Sequence, residues 1–157
     1  MLLPTGRFGA ERDGLAHPCG RGHCGVDLSG PVGRPIVAVA AGVVVHVEHS
    51  RNGRDGRSGR YVRIEHSDGV FTSYMHLNAI AAGLDVGDRV DAGQQIGTLG
   101  RTGIHSSAPH LHFALEVPTS RKLGNQVITR HVDPLPFMAR ASVVDAADRR
   151  RAEKPAF

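Results

Sequence analysis

Aromatic side chains are scarce in this 157-residue chain, which has no tryptophan, two tyrosines and five phenylalanines. Proteins that bind single-stranded nucleic acid commonly stack the bases on aromatic side chains, and this composition offers few such platforms. The formal net charge of +4 favours anionic partners in general. No recognised nucleic-acid-binding motif accompanies that charge. We therefore expect no nucleic-acid partner.

Long apolar segments are also missing. No run approaches the roughly 20 apolar residues that a membrane-spanning helix needs, and the opening at 1–4 is too short for a secretory signal peptide. We therefore expect no transmembrane segment, and no signal peptide is visible in the chain. The length fits one domain with a sizeable core, and we expect a monomer.

Glycine and proline are abundant, with 20 and nine residues, and runs of valine and isoleucine lie between them. This pattern favours short strands joined by tight turns, so we predict an all-β fold. Asp68-Gly69 between the alternating stretches 61–66 and 70–77 indicates a hairpin. Alternation along the second stretch predicts that His76 lies on the face of Thr72 and Tyr74. Residues 36–40 and 43–47, on either side of Gly42, indicate two strands separated by a bend.

The two ends of the chain differ from this pattern. Residues 1–22 have scattered Gly and Pro without a sustained period, which predicts an irregular N-terminal lead-in. Residues 139–157 are rich in Ala and Arg and lack an apolar stripe, which predicts a short helical or disordered tail. The folded domain is therefore expected to span 1–138.

Two pairs of polar residues carry the chemistry. His110 and His112 flank Leu111; in a strand, side chains two apart share a face, so both imidazoles point one way and Leu111 points into the core. His23 and Asp27 form a second polar pair, and glycines on either side of His23 let the backbone bend closely. Imidazoles and a carboxylate suit a catalytic zinc ion, which commonly has three such ligands and a water that it acidifies.

The surroundings of these pairs extend the pattern along the chain. The segments concerned are Phe8-Gly9, Arg21-Gly22-His23-Cys24-Gly25-Val26-Asp27-Leu28, residues 35–44, Tyr74-Met75-His76-Leu77, residues 90–97, Gly100-Arg101-Thr102-Gly103 and Pro109-His110-Leu111-His112-Phe113. In order and spacing, from about residue 6 to about residue 138, they resemble the lysostaphin/LytM-type zinc metallopeptidases, bacterial enzymes that cut the peptide cross-links of cell-wall peptidoglycan.

That resemblance implies a fold and a reaction. The fold would be an antiparallel β-sandwich with a groove, of the duplicated hybrid motif type. His23, Asp27 and His112 would bind one Zn²⁺, while His76, at the Tyr-x-His-Leu position, and His110 would be catalytic. The chain would be a zinc endopeptidase that hydrolyses cross-links or stem peptides of peptidoglycan with a metal-activated water. It would act outside the cytoplasm, in the periplasm, in the cell wall or as a secreted protein.

Two other functions are compatible with parts of the pattern. A non-catalytic relative would bind the wall or activate a separate amidase, but such relatives generally lack some zinc ligands, and every position is filled here. Residues 86–97 also resemble the hybrid motifs of lipoyl and biotinyl carriers. A carrier needs a lysine at an exposed hairpin, and the only lysines, Lys122 and Lys154, lie outside that stretch. The carrier function is therefore excluded, although the fold analogy remains.

Cys19 and Cys24 bracket His23 and leave three alternatives. A disulfide would pin the first ligand segment and would fit an oxidising location. Cys24 as a fourth ligand would close a catalytic site. Two unpaired thiols remain the third alternative, because cysteine spacing alone does not decide pairing.

Several polar residues remain open between a functional and a structural role. Arg12 and Arg21 precede the ligand motif and would either hold it, touch a substrate carboxylate or be solvated. His46 and His49 are interpreted as structural. The stretch 51–60 repeats arginine among glycines and is interpreted as a flexible basic loop that either meets wall anions or is merely solvated. Before the His pair, His105 and Ala108 depart from the family pattern.

Overall fold

The computed structural model describes residues 2–11 and 22–138. Ten strands occupy most of this part of the chain: β1 Leu3–Gly6, β2 Val26–Ser29, β3 Pro35–Val37, β4 Gly42–Glu48, β5 Arg60–Glu65, β6 Phe71–Ile80, β7 Arg89–Val90, β8 Gln95–Leu99, β9 His110–Leu123 and β10 Gln126–Val132. A 3-10 turn spans Ser67–Gly69, and one helical turn covers 135–138. No helix in the described ranges is long and apolar enough to cross a membrane.

All strand pairs are antiparallel, which confirms the predicted fold class. The main path of the sheet runs β1-β2-β9-β6-β5-β4-β7, while β10 pairs with β9, and β3 pairs with β8, which also pairs with β6. The long strand β6 therefore has two sets of neighbours. Its first half lies between β5 and β9, and its second half lies against β8.

One apolar cluster lies beneath the sheet. It contains Val26 of β2, Val62 of β5, Tyr74 of β6 and Phe113 of β9, together with Ile96 of β8. These five side chains are at most 2% exposed, and burying an aliphatic or aromatic side chain of this size contributes about 1.5 to 3 kcal/mol. The core therefore holds β2, β9 and β6 side by side, and the register of these strands determines which side chains meet on the opposite face.

The hairpin predicted at Asp68-Gly69 is present between β5 and β6. Both residues have positive φ, 60° and 69°, as the favoured two-residue hairpin turn requires. The predicted irregular lead-in contains one strand, β1, whose Pro4 is tolerated because β1 lies at the sheet edge. The predicted tail, 139–157, lies outside the described residues, and the domain boundary at 138 stays a prediction.

Candidate metal centre and active site

The pairing of β2 with β9 places four polar side chains on one face. Asp27 is opposite His112 and Ser29 is opposite His110, and residues directly opposed in an antiparallel pair share a face. Leu111, between the two histidines, is buried in the apolar cluster on the other face. The predicted alternation of His110 and His112 with their apolar neighbours is confirmed.

His23 lies just before β2 and completes a compact group with Asp27 and His112. Its Nε2 lies 3.1 Å from Asp27 Oδ1 and 2.8 Å from His112 Nδ1, and His112 Nδ1 lies 3.1 Å from Asp27 Oδ1. Each of these residues therefore presents one potential ligand atom to a common centre. The structure brings together the three ligands that the sequence predicts.

The donor set fits zinc. The Nδ1–H of His23 donates to the Arg7 carbonyl at 2.9 Å, which leaves Nε2 to face the centre. When Nε2 is deprotonated, as a metal ligand must be, its lone pair meets those of the Asp27 carboxylate oxygen. A bound cation would remove the repulsion between these lone pairs. In a tetrahedral zinc site with bonds of about 2.0 to 2.1 Å, ligand atoms lie about 3.3 Å apart, close to the separations above. The backbone contact of His23 is the kind that orients a metal-binding imidazole.

Asp27 is held in its ionised form. Burial acts to raise its pKa, but the hydrogen bonds and charges of His112 and His23 outweigh burial and hold the pKa well below its usual range. Gly6 of β1 is opposite Asp27, and a Cβ added there would lie 2.8 Å from the Asp27 Cγ. The close approach of β1 to the carboxylate therefore requires glycine at this position.

His76 reaches the same face through an irregularity in β6. Tyr74 and Leu77 are three residues apart, yet both are buried in the core, with 1% and 0% exposure. Regular alternation cannot bury both. The register explains the exception, because Val62 pairs with Tyr74 whereas Arg60 pairs with Leu77, so β6 has one extra residue. The bulge contains His76, which has a φ of 65°.

The bulge turns His76 away from the core. Its ring centroid lies 4.9 Å from that of His110 and 6.2 Å from that of His112. Alternation predicts His76 on the face of Thr72 and Tyr74, and that prediction is wrong, because Tyr74 points into the core. The side chain nevertheless lies beside the metal-ligand group, as the resemblance implies.

Both non-ligand histidines have their Nδ1 atoms fixed by backbone carbonyls. The Nδ1–H of His76 donates to Thr102 O at 2.9 Å, and the Nδ1–H of His110 donates to Ala108 O at 2.9 Å. Burial lowers the pKa of His76 to about 4, despite the opposing effect of the Thr102 hydrogen bond. A neutral ring with its proton on Nδ1 carries a lone pair on Nε2. The Nε2 of His110 lies 3.6 Å from Asp27 Oδ1.

Sequence reasoning missed the groups that hold these imidazoles. The carbonyls of Arg7, Thr102 and Ala108 are backbone atoms, which residue identity does not signal. Ala108 departs from the family pattern, but its side chain leaves the carbonyl available to His110. The glycines were a partial indication of close packing around the site, because a Cβ at Gly6 or Gly103 would collide with neighbouring atoms.

The cysteine alternatives are narrowed by the structure. Cys24 is disulfide-bonded, so its sulfur is not a thiolate and the fourth-ligand alternative fails. Cys19, the other cysteine of the sequence, lies outside the described residues, as do Arg12 and Arg21. The disulfide alternative agrees with the state of Cys24.

The site face continues into a groove. From the His112–Met75 pair, four residues along β6 and β9 lead to the pair Phe71–Glu116, a distance of about 13 Å at about 3.3 Å per residue. The groove there has a volume of about 760 Å³. Its lining includes Val45, His46, Tyr61, Arg63, Glu65, Asp68, Phe71, Pro118, Gln126, Val127 and Thr129. The ring of His46 stacks on Tyr61, with centroids 4.6 Å apart, which supports the structural interpretation of this histidine.

The sequence of this chain is similar to lysostaphin and to a peptidoglycan DD-endopeptidase. Lysostaphin of Staphylococcus staphylolyticus is 38% identical over 120 residues, which make up 76% of this chain and 22% of lysostaphin. The peptidoglycan DD-endopeptidase ShyC of Vibrio cholerae is 40% identical over 93 residues, 59% of this chain and 20% of ShyC. The chain thus spans about a fifth of the length of these curated relatives.

Solved structures agree with the sequence matches. The catalytic domain of lysostaphin from Staphylococcus simulans gives a TM-score of 0.68 at 32% identity, covering 88% of this chain and 92% of that domain. A zinc-containing peptidase from Vibrio cholerae gives a TM-score of 0.59 at 28% identity, covering 82% and 36% of the two chains. Residues 21–134, which include Asp27 and the four clustered histidines, match Peptidase family M23. The chain belongs to peptidase family M23.

Proposed function

We propose that this protein is a zinc-dependent endopeptidase that hydrolyses peptide cross-links or stem peptides of bacterial peptidoglycan. The observation that carries the proposal is the convergence of His23 Nε2, Asp27 Oδ1 and His112 Nδ1 within 2.8 to 3.1 Å of one another. Two further imidazoles border this group. The relatives named as a peptidoglycan DD-endopeptidase and as the antimicrobial peptidase lysostaphin support the substrate class. Because peptidoglycan lies outside the cytoplasm, the protein would act there.

His23, Asp27 and His112 would hold the zinc ion. Asp27 is ionised before zinc binds, because His112 and His23 hold its pKa low. Three ligands leave a coordination position open, as in other catalytic zinc sites. When bound, zinc would acidify a water molecule and polarise the scissile carbonyl.

His110 would act as the general base. Its Nδ1–H is committed to Ala108 O, so Nε2 can accept the proton of the attacking water, and this nitrogen lies 3.6 Å from a ligand atom of Asp27. That position is within reach of a molecule bound at the centre. After taking the proton, His110 can deliver it to the departing amine.

His76 would orient the attacking water without taking its proton. Its pKa of about 4 keeps the ring neutral at neutral pH, so Nε2 accepts a hydrogen bond and adds no positive charge beside the metal. The ring of His76 lies against that of His110, with 4.9 Å between centroids, so both imidazoles would border the same reacting position.

The groove would hold the part of the peptide beyond the scissile bond. It begins about 13 Å from the His112–Met75 pair on the same face, and it combines aromatic rings, such as Tyr61 and Phe71, with charged groups, such as Arg63 and Glu65. An extended peptide of about four residues would bridge that distance. A mixed lining of this kind suits a peptide that carries both apolar and charged side chains.

The test is hydrolysis of purified peptidoglycan sacculi, with the zinc content measured on the same sample. We expect near-stoichiometric zinc and release of new amino termini that stops on chelation and returns when zinc is restored. Masses of the fragments would identify the bond as a glycine bridge or a direct cross-link. Bound zinc with no cleavage of sacculi of either cross-link type would overturn the proposed activity and favour a wall-binding or amidase-activating role.

A further inference from the structure

The backbone of His76 is strained and must be held in place. Within the described ranges, Asp68 and His76 are the two non-glycine residues with positive φ. Asp68 lies in a hairpin turn, where this conformation is usual. His76 lies inside strand β6, and the left-handed conformation is unfavourable for a non-glycine residue. Surrounding contacts therefore have to compensate for this cost.

Two separate segments supply those contacts. The His76 N–H donates to Ser58 O at 3.1 Å, which fixes the bulged backbone. The His76 Nδ1–H donates to Thr102 O at 2.9 Å, which fixes the ring and leaves Nε2 as the atom with a lone pair. One segment thus holds the main chain and the other holds the side chain.

Asp55 organises the end of the first segment, the loop at 51–60. Asp55 Oδ1 accepts hydrogen bonds from the backbone of Arg57 at 2.9 Å and from both the backbone and the hydroxyl of Ser58 at 2.8 Å. Ser58 is only 7% exposed. One carboxylate therefore shapes the end of this loop and sets the position of the Ser58 carbonyl that meets His76.

The second segment is the turn around Thr102, and it is locked to the first. The Thr102 hydroxyl donates to Leu77 O at 2.8 Å and accepts from the Arg60 N–H at 3.0 Å. Gly59 and Gly103 both have positive φ, and a Cβ on either would collide with the backbone of the facing segment. The two segments therefore pack directly against each other. Thr102 is bonded to Leu77 of β6 and to Arg60 of β5.

We infer that Thr102 and Asp55 are positioning residues that act through His76. The Thr102 hydroxyl holds its own carbonyl against the ring, and Asp55 holds the Ser58 carbonyl against the main chain. Neither Thr102 nor Asp55 is a candidate metal ligand or a proposed catalytic residue. The inference rests on the proposed function insofar as it concerns rate, whereas the conformation of His76 can be measured without catalysis.

The experiment compares Thr102→Val with Thr102→Ser, and Asp55→Ala with Asp55→Asn. The first of each pair removes the hydrogen bonds, and the second keeps an oxygen that can make them. We expect kcat on a cross-linked peptide to fall about 10- to 100-fold in Thr102→Val, because small misplacements of a reacting group cost rates of that order. The loss in Asp55→Ala should be several-fold. KM and zinc content should stay within about twofold, and the Ser and Asn variants should recover most of the rate.

Thr119→Val is the matched control. Its hydroxyl also donates to a carbonyl, that of Ile128, but it lies in the β9–β10 hairpin and takes no part in the site. Nitrogen-15 NMR of the zinc-free proteins supplies the second readout: His76 should be protonated on Nδ1 in the wild type and in Thr119→Val. In Thr102→Val and Asp55→Ala this signature should become a mixture of the two tautomers.

The outcomes separate the two proposals. Wild-type protein that cleaves no peptidoglycan peptide contradicts the proposed function, and the NMR comparison then still decides the positioning inference. Active wild type with unchanged kcat and an unchanged His76 tautomer in Thr102→Val and Asp55→Ala overturns the inference. If Thr102→Val fails to fold, Asp55→Ala, with its substitution in a surface loop, carries the same comparison.

Discussion

Two regions bring histidines to the candidate site, and they do so in different ways. On β2 and β9, Asp27, His110 and His112 are placed by regular pairing, in which each residue faces its partner in the register. On β6, His76 is placed by a bulge with a φ of 65°. The positions of the candidate metal ligands on β2 and β9 therefore depend on the core beneath the sheet. The position of His76 depends on two loops.

The first prediction tests the regularly paired region, where we expect the largest effect. Asp27→Ala should abolish both zinc binding and peptide cleavage, because it removes one of three ligands and the only carboxylate among them. Zinc content by elemental analysis and sacculus hydrolysis are the measurements. Asp91→Ala, at an exposed turn position, is the control and should retain both. Full activity with unchanged zinc in Asp27→Ala would break the ligand assignment.

The second prediction separates ligands from catalytic groups within the same strand. His110→Ala should retain zinc but lose about 10²- to 10⁴-fold in kcat, the usual contribution of a general acid or base. His110 and His112 share one face of β9, so equal loss of zinc in His110→Ala and His112→Ala would show that the strand does not divide these roles.

The third prediction concerns the bulged region and the pH dependence of stability. His76 has a pKa of about 4 in the folded protein, against an ordinary value of 6.5. The unfolded chain therefore binds a proton first as the pH falls, so stability due to neutral His76 is fully present above pH 6.5 and is lost between 6.5 and 4. The loss would be on the order of 3 kcal/mol.

Denaturant unfolding of zinc-free wild type and His76→Gln across this pH range measures that term as a difference. The difference removes contributions from the other histidines, which both proteins share. Identical pH dependence in the two proteins would mean that His76 titrates alike in the folded and unfolded states, and that the bulge does not bury it.

The fourth prediction returns to the regular region and has the smallest effect. Gly6→Ala would place a Cβ 2.8 Å from the Asp27 Cγ, so the carboxylate or β1 has to shift. We expect zinc affinity to fall about 10- to 100-fold, as for other changes to groups that orient metal ligands. Gly124→Ala, in the β9–β10 hairpin, adds a methyl that meets nothing within 4 Å and confines any strain from its φ of 59° to that hairpin, so it should leave zinc affinity unchanged in a chelator competition.

The same contrast explains how much could be predicted from the sequence. Period-two alternation placed His110 and His112 on one face and Leu111 in the core, because β9 is regular there. The Asp-Gly hairpin was predictable for the same reason, since two adjacent residues determine its turn. The pairing partners of the strands could not be predicted in this way. Asp27 and His112, for example, are in contact although they are 85 positions apart in the chain.

The bulged region resisted prediction because its causes are not local. Alternation alone assigns His76 to the core face, and only the resemblance to a known family indicated a place near the metal. The extra residue is stabilised by carbonyls from residues 58 and 102, whose backbone positions no residue type reveals. The composition of the loop at 51–60 indicates a flexible segment. It does not reveal that Asp55 organises the last turn of this loop.

The most direct test of the account is a crystal structure of the zinc-loaded protein with anomalous diffraction recorded at the zinc absorption edge. We predict one strong peak coordinated by His23 Nε2, Asp27 Oδ1 and His112 Nδ1, with the rings of His76 and His110 beside it and outside bonding distance. A peak that is coordinated by His76 or His110 in place of one of these ligands, or no peak at this position, would contradict the account.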